Sequence, residues 1–326
     1  VNINQVANVG NRDGDFSEPI HVAVMPNEVL QGLVPKAGGV YLDGTLGAGG
    51  HSALIGEAIC LAEATLEIKG GCVKSGYVIS FDRDAKAVRL ARKRFEGTNV
   101  KPYHANYRYI SIAFKQLNIE HVDGMLLDLG LSSDQLADRS RGFSFDADGD
   151  LDLRFDDLEG QPMWEWLEFL TEERIADLIF RYGEERYSRR IARAIVERRN
   201  ERKPVRKAND LADLVRRCVP KKHGKPGIDP ATKTFQGMRI FVNDELRALE
   251  EFLKFAPVLL KPEGRIAIIS FHSLEDRIVK TAFRDHPLLE IVTKKPVGAS
   301  DEEVAQNPRA RSAKLRVAQK IRGNHQ

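Results

Sequence analysis

Cysteine is scarce in this chain of 326 residues: Cys60, Cys72 and Cys218 are an odd number, and no two stand in a C-x-x-C spacing. Neither a disulfide framework nor a cysteine-built zinc site is indicated, and a reducing compartment is the natural setting. Long apolar runs are missing as well. Stretches such as Ile266–Ile269 fall far short of the roughly 18 residues a spanning helix needs, so no membrane partner is expected. Residues 1–18 lack the apolar core and cleavage site of a secretory signal and are read as a flexible N-terminal segment. The chain opens on Val1 rather than Met, and the expected location is a bacterial cytoplasm or the interior of a chloroplast or mitochondrion. With 42% apolar and 30% charged residues the sequence is that of a globular protein. Its length allows two domains, or one large domain carrying an insertion.

The net charge of +3 conceals a strong polarity along the chain. Residues 120–180 hold 17 acidic against 4 basic side chains, whereas residues 181–225 hold 16 basic against 6 acidic. The basic run, which contains Arg189, Arg190 and Arg193, is either a solvated helical face or the footprint of phosphate-backbone binding.

From Val40 onward, short apolar runs alternate with helical patterns, the rhythm of parallel strands joined by crossover helices. Strands are predicted at 40–43, 77–81, 100–103 and 124–128, with helices at about 51–64, 85–95 and 110–117 and a surface loop over 65–75. The rhythm stops after residue 133. Residues 134–232 show helical patterns at 163–169, 172–182, 188–199 and 209–218 and read as an inserted helical domain. A long helix over 235–260, a strand at 265–270, a helix at 274–283 and strands near 289–293 and 314–318 then complete the sheet. The expected organisation is a sheet domain of residues 19–133 and 233–326 around a helical insert.

Three carboxylates stand at the ends of three predicted strands: Asp43, Asp82 and Asp128. Ligands of open parallel sheets lie beyond those ends. After Asp43 comes Gly44-Thr-Leu-Gly-Ala-Gly-Gly50, a strand-to-helix turn where a backbone can approach a ligand closely and a helix N-terminus favours an anion. Its spacing is neither G-x-G-x-x-G nor that of a P-loop, which weakens the dinucleotide and triphosphate readings. A carboxylate at Asp82 can accept both hydroxyls of a ribose. A nucleoside without a pyrophosphate fits both features, and S-adenosylmethionine is the leading candidate. Methyl transfer from a sulfonium needs no metal, and none is expected; it needs a nucleophile held in line at about 3 Å.

At this point the chain resembles a known family. Asp43–Ser52, Phe81–Asp84, Leu127–Ser133, Arg141–Phe145, Tyr182–Arg186, Lys233–Ile240, Ser270–Arg277 and Asn307–Ser312 are similar, in order, to the motifs of the MraW/RsmH family of ribosomal RNA methyltransferases. The resemblance covers nearly all of residues 21–320. It implies a Rossmann-like class I methyltransferase sheet (α/β) with an inserted helical domain, S-adenosylmethionine as cofactor, and methylation of the exocyclic N4 of a cytidine in small-subunit ribosomal RNA. The partner is then that RNA or the small subunit itself, and a homodimer stays open. Cofactor contacts fall, by resemblance, on Gly49, Gly50, His51, Asp82, Tyr107, Asp128 and Gln135. This sequence departs from the family pattern with Asp134 and Asp150 where proline is common and Tyr107 where phenylalanine is common.

Asp128 and His272 are the catalytic candidates, the latter equally readable as a structural histidine after the fifth strand. Ser132, Asp152, Arg154, Arg189, Arg190 and Arg193 are the candidate RNA contacts, and Asp152 with Arg154 also reads as an ion pair at the domain junction. Trp164 and Trp166 read as core. The competing functions are a nucleotide-cofactor oxidoreductase, disfavoured by the glycine spacing, and a non-catalytic RNA-binding protein on the same fold.

Overall fold

Sheet building begins at Val40, and the computed structural model describes residues 23–68, 74–220 and 229–322. Residues 1–18 and Cys72 fall outside the described residues. The described chain divides into two compact units. One holds the residues up to Asp82, Ala87–Gly130 and the chain from Leu253 on; the other holds Arg83–Lys86 and Leu131–Phe252.

The first unit opens with α1 (Pro26–Leu33) and continues through β1 (Val40–Asp43), α2 (Gly50–Ile68), β2 (Tyr77–Asp82), most of α3 (Ala85–Arg94), β3 (Val100–His104), α4 (Ile110–Gln116) and β4 (Val122–Asp128). Every residue of β4 before Asp128 is buried, the pattern of a strand covered on both faces. Pro102 sits in β3, an edge strand, where a missing N–H costs least. α2 runs four residues past the expected stop at Ala64, because Thr65-Leu-Glu-Ile68 contains no breaker and the first glycine comes at Gly70.

The second unit is helical: α5 (Ser133–Ala137), α6 (Met163–Phe169), α7 (Glu172–Gly183), α8 (Ser188–Asn200), α9 (Ala208–Cys218) and α10 (Thr232–Asn243). Its core gathers Leu151, Met163, Ile175, Ile179, Ile191 and Met238, with Trp164 and Trp166 packed against it. Gly237 lets α10 approach α7 closely, since a Cβ there would stand 2.9 Å from the Gly183 nitrogen. Residues 233–252 group with these helices rather than with the sheet. The expected continuous helix over 235–260 is in fact two, α10 and α11 (Glu245–Leu259), separated at Asp244, whose left-handed backbone (φ 49°) caps α10.

Back in the first unit come β5 (Leu260–Ser270), α12 (Ser273–Asp285), β6 (Leu289–Ile291), α13 (Asp301–Gln306) and β7 (Lys314–Lys320). The seven strands lie in the order β3-β2-β1-β4-β5-β7-β6. The first five are mutually parallel, and β7 runs antiparallel between β5 and β6. The order reverses between β1 and β4, and the carboxyl ends of both strands carry an aspartate.

Candidate active site

The turn after β1 is held by its own side chains. Asp43 is completely buried; one oxygen accepts the Ser52 hydroxyl at 2.6 Å and the other the Thr45 N–H at 3.1 Å. Burial pushes the Asp43 carboxyl up, against the pull of Ser52, His51 and the Thr45 N–H. Thr45 reaches across to the next strand, where its hydroxyl oxygen accepts the Asp128 N–H at 2.7 Å. The Gly47 N–H donates to Asp82 Oδ2 at 2.8 Å. At Gly49 the backbone is left-handed (φ 82°), and a Cβ would meet the Phe95 ring at 2.6 Å, so only glycine fits the turn as it is packed. Gly50 opens α2, and His51 follows it into the first turn.

These constraints bring His51 to Asp128. His51 Nε2 stands 3.5 Å from Asp128 Oδ2, at the outer limit of a hydrogen bond, so the contact is mainly electrostatic. Both His51 Nε2 and Asp128 Oδ1 are buried and lack hydrogen-bond partners among the described residues. Native structures rarely leave such atoms unpaired, so their exposure to a bound group is the natural account. Burial disfavours an imidazolium at His51, yet Asp128, Asp43 and Glu303 outweigh it and its pKa is raised.

Two residues that sequence reasoning passed over act electrostatically on this centre. Glu303 of α13 lies within the field of His51 and Asp128, and burial raises its carboxyl above the usual range. Arg309 follows in the short 3₁₀ turn Pro308–Ser312; burial lowers its pKa, with the nearby charge of Asp128 opposing. Asn307–Ser312 was visible as a motif, but no chemical role could be read from it.

The remaining candidates divide between the units. Tyr107 opens a 3₁₀ turn after β3 in the sheet unit, half-buried. His272 caps α12: its Nδ1 accepts the Glu275 N–H at 3.4 Å and its Nε2 lies 3.1 Å from Glu275 Oε1, so both ring nitrogens face the helix's own first turn. Ser132 and Gln135, in the helical unit, form a reciprocal capping box for α5, with Gln135 N–H to Ser132 Oγ at 3.1 Å and Ser132 N–H to Gln135 Oε1 at 3.0 Å. The Gln135 carbonyl oxygen is thus engaged, leaving its NH₂ as the donor to offer a ligand. Asp152 and Arg154 pair bidentately at 2.7 and 2.8 Å. Arg189, Arg190 and Arg193 lie exposed on α8, with Arg193 Nε 3.5 Å from Glu172. Among the described residues no three His, Cys, Asp or Glu side chains are placed to share a metal ion, and no helix is long and apolar enough to cross a membrane.

Comparison with known proteins bears on this site as a whole. The ribosomal RNA small subunit methyltransferase H of Rhodopirellula baltica is 48% identical over 309 residues, covering 94% of this chain and 93% of its own. The protein of the same name from Geobacter sp. strain M21 is 43% identical over 321 residues (92% and 98%), and that from Nostoc sp. strain PCC 7120 is 45% identical over 312 (94% and 95%). Among solved structures, TrmN from Thermus thermophilus aligns with 91% of this chain and 48% of its own at 14% identity and a TM-score of 0.40, a likeness too distant to bear on function. The strand order is that of a Rossmann-like class I methyltransferase. With the model of the MraW methylase family matching residues 18–321, the chain belongs to that family.

Proposed function

We propose that this chain transfers a methyl group from S-adenosylmethionine to the exocyclic N4 of a cytidine in small-subunit ribosomal RNA. The observation that carries the reading is Asp128, at the end of β4, with one buried carboxylate oxygen unbonded and a cation-forming imidazole 3.5 Å from the other. S-adenosylmethionine supplies, when bound, a methyl group activated by its sulfonium.

The residues present fit such a cofactor. The Gly47–Gly50 turn and the start of α2 suit a carboxylate, Asp82 suits the ribose hydroxyls and Tyr107 offers a ring face. His51 would pair with the cofactor's anionic end or with Asp128.

The chemistry asked of the chain is modest. A cytosine amino group is a poor nucleophile because its lone pair is delocalised into the ring. An acceptor on its N–H restores density to nitrogen, and Asp128 Oδ1 is the acceptor available. The methylated amine is cationic and must lose a proton, and Asp128 would be the group to take it. The exposed arginines of α8 would dock phosphates, a sequence-independent and salt-dependent contribution.

The test is methyl transfer with labelled S-adenosylmethionine onto unmethylated small subunits, followed by digestion to nucleosides. Label in N4-methylcytidine is expected. Label confined to another nucleoside, or none with the cofactor bound, overturns the reading.

A further inference from the structure

The sheet unit carries a basic surface that the methyl-transfer reading leaves unused. Residues 87–104 hold five Lys and Arg, namely Arg89, Arg92, Lys93, Arg94 and Lys101, against a single acid, Glu96. All five cations are exposed, while α3 buries Val88 and Ala91 on its inner side. Arg92 Nε donates to the Pro102 carbonyl oxygen at 3.2 Å, which ties the helix to the edge strand β3. Arg94 Nη1 donates to the Ala48 carbonyl oxygen at 2.6 Å, and the Phe95 ring fills the space beside Gly49. The basic surface is thereby joined to the glycine turn.

On a solvated helical face, charges of opposite sign are commonly interleaved at i, i+3 and i, i+4. This chain does so elsewhere: Arg181 meets Asp177 at 3.7 Å on α7, and Arg247 meets Glu251 at 3.2 Å on α11. α3 contains no acid, and Arg89 has Arg92 and Lys93 as its i+3 and i+4 neighbours, an arrangement that weakens a helix. Among the described residues none of the five cations is paired with a carboxylate. The negative end of the helix dipole favours cations in the last turn, which accounts for part of Arg92-Lys-Arg94. A lysine on an edge strand also discourages edge pairing, which suffices for Lys101. Neither effect accounts for Arg89 in mid-helix or for the missing acids. A polyanion laid on this surface accounts for both, because its phosphates supply the counter-charge that the helix lacks.

We propose that the exposed cations of α3 and the β3 edge, with Arg89 and Lys93 at their centre, form a phosphate-docking surface for the RNA substrate on the sheet unit itself, joined to the glycine turn. The proposal rests on RNA being the substrate, as in the function proposed above. It gives the sheet unit its own hold on the RNA backbone, in addition to the arginines of α8. Arg92 and Arg94 already bond backbone carbonyls, so Arg89 and Lys93 are the side chains to vary.

Arg89→Glu separates docking from folding, because the two respond with opposite sign. An acid at this position has cations at i+3 and i+4, the favourable order, so the unfolding temperature should hold or rise. Binding of the full-length chain to unmethylated small ribosomal subunits should weaken at the same time. In the double variant Arg89→Gln, Lys93→Gln, the slope of log affinity against log salt should flatten by about 1.4–1.8, at about 0.7–0.9 for each phosphate contact. An unchanged affinity and salt slope overturns the proposal and makes α3 an ordinary solvated face. So does a fall in unfolding temperature that accompanies the loss of binding, or an equal loss of S-adenosylmethionine affinity, since either marks a structural effect. A parent chain that binds no small subunit overturns it as well. Binding is read without methyl transfer, so a salt slope that flattens in a chain that methylates no cytidine faults the proposed function and leaves the docking surface standing.

Discussion

The Gly47 N–H donates to Asp82 Oδ2 across 2.8 Å, fastening the turn after β1 to the end of β2. Asp82 therefore shapes the glycine turn, and under the proposed function it would also accept the ribose hydroxyls. Asp82→Ala should weaken S-adenosylmethionine binding by about 1.5–3 kcal/mol, the range for hydrogen bonds to a charged group. Asp82→Asn, which can keep an oxygen for Gly47, should lose less. Calorimetry decides, and unchanged affinity in a folded alanine variant removes Asp82 from the site.

Asp128→Asn keeps one acceptor oxygen and replaces the other with a donor that opposes the amine N–H. A loss of about 10²–10³-fold in kcat and kcat/KM together is expected, by analogy with removal of one preorganised polar contact. Single-turnover rates at saturating cofactor and RNA are the measurement. Full recovery at saturation would reduce Asp128 to a binding residue.

Neutralising Arg189, Arg190 and Arg193 together should raise KM for the ribosomal substrate and flatten its salt dependence, since each lost phosphate contact releases fewer counterions. S-adenosylmethionine affinity should hardly move. RNA affinity preserved at every salt concentration would mark α8 as an ordinary solvated face.

Asp276 accepts Arg316 Nε at 2.7 Å, with Lys314 at 3.6 Å. Burial works to raise this carboxyl, but Arg316 and Lys314 prevail and hold it below the usual range. A depressed folded-state pKa gives stability that is present above the unfolded value and is lost as pH falls through the folded one. Asp276→Asn should thus be less stable than the parent at neutral pH, with the difference vanishing on acidification. Urea midpoints taken along a pH series check this, and a pH-independent difference contradicts it.

Asn243 ends α10 as a buried hub, its amide donating to the Leu153 and Arg239 carbonyls and accepting the Phe155 N–H. Asn243→Ala strands these backbone groups in the helical unit and should cost about 2–4 kcal/mol, since each buried unsatisfied group costs about 1–3. A change in denaturation free energy under about 0.5 kcal/mol would mean that water or a shifted backbone replaces the side chain.

Three strand ends were legible because β1, β2 and β4 are each written as an apolar run closed by an acid, at Asp43, Asp82 and Asp128. The break between α10 and α11 was not. Apolar spacing continues through Asn243–Asp244, and a left-handed aspartate carries no signal as clear as glycine. Ser132-Ser-Asp-Gln135 does have the spacing of a capping box, which a reading directed at ligands overlooks. Glu303 and Arg309 could not be placed at all from sequence. They lie more than 170 positions beyond Asp128, on the chain between β6 and β7, where no local pattern ties them to it.

That return path also governs when the enzyme can mature. Among the described residues β6 pairs only with β7, which comes later in the sequence and lies between β6 and β5. During synthesis, β1 to β5 can assemble as their residues emerge, while β6 must wait without a neighbour until Lys314–Lys320 has been made. Glu303 and Arg309 lie on the stretch that waits with it. A nascent chain held on the ribosome before that last strand would carry the glycine turn and Asp128 but an unfinished charge environment around them. A methylase built this way reaches its working form only after Lys314–Lys320 has been made.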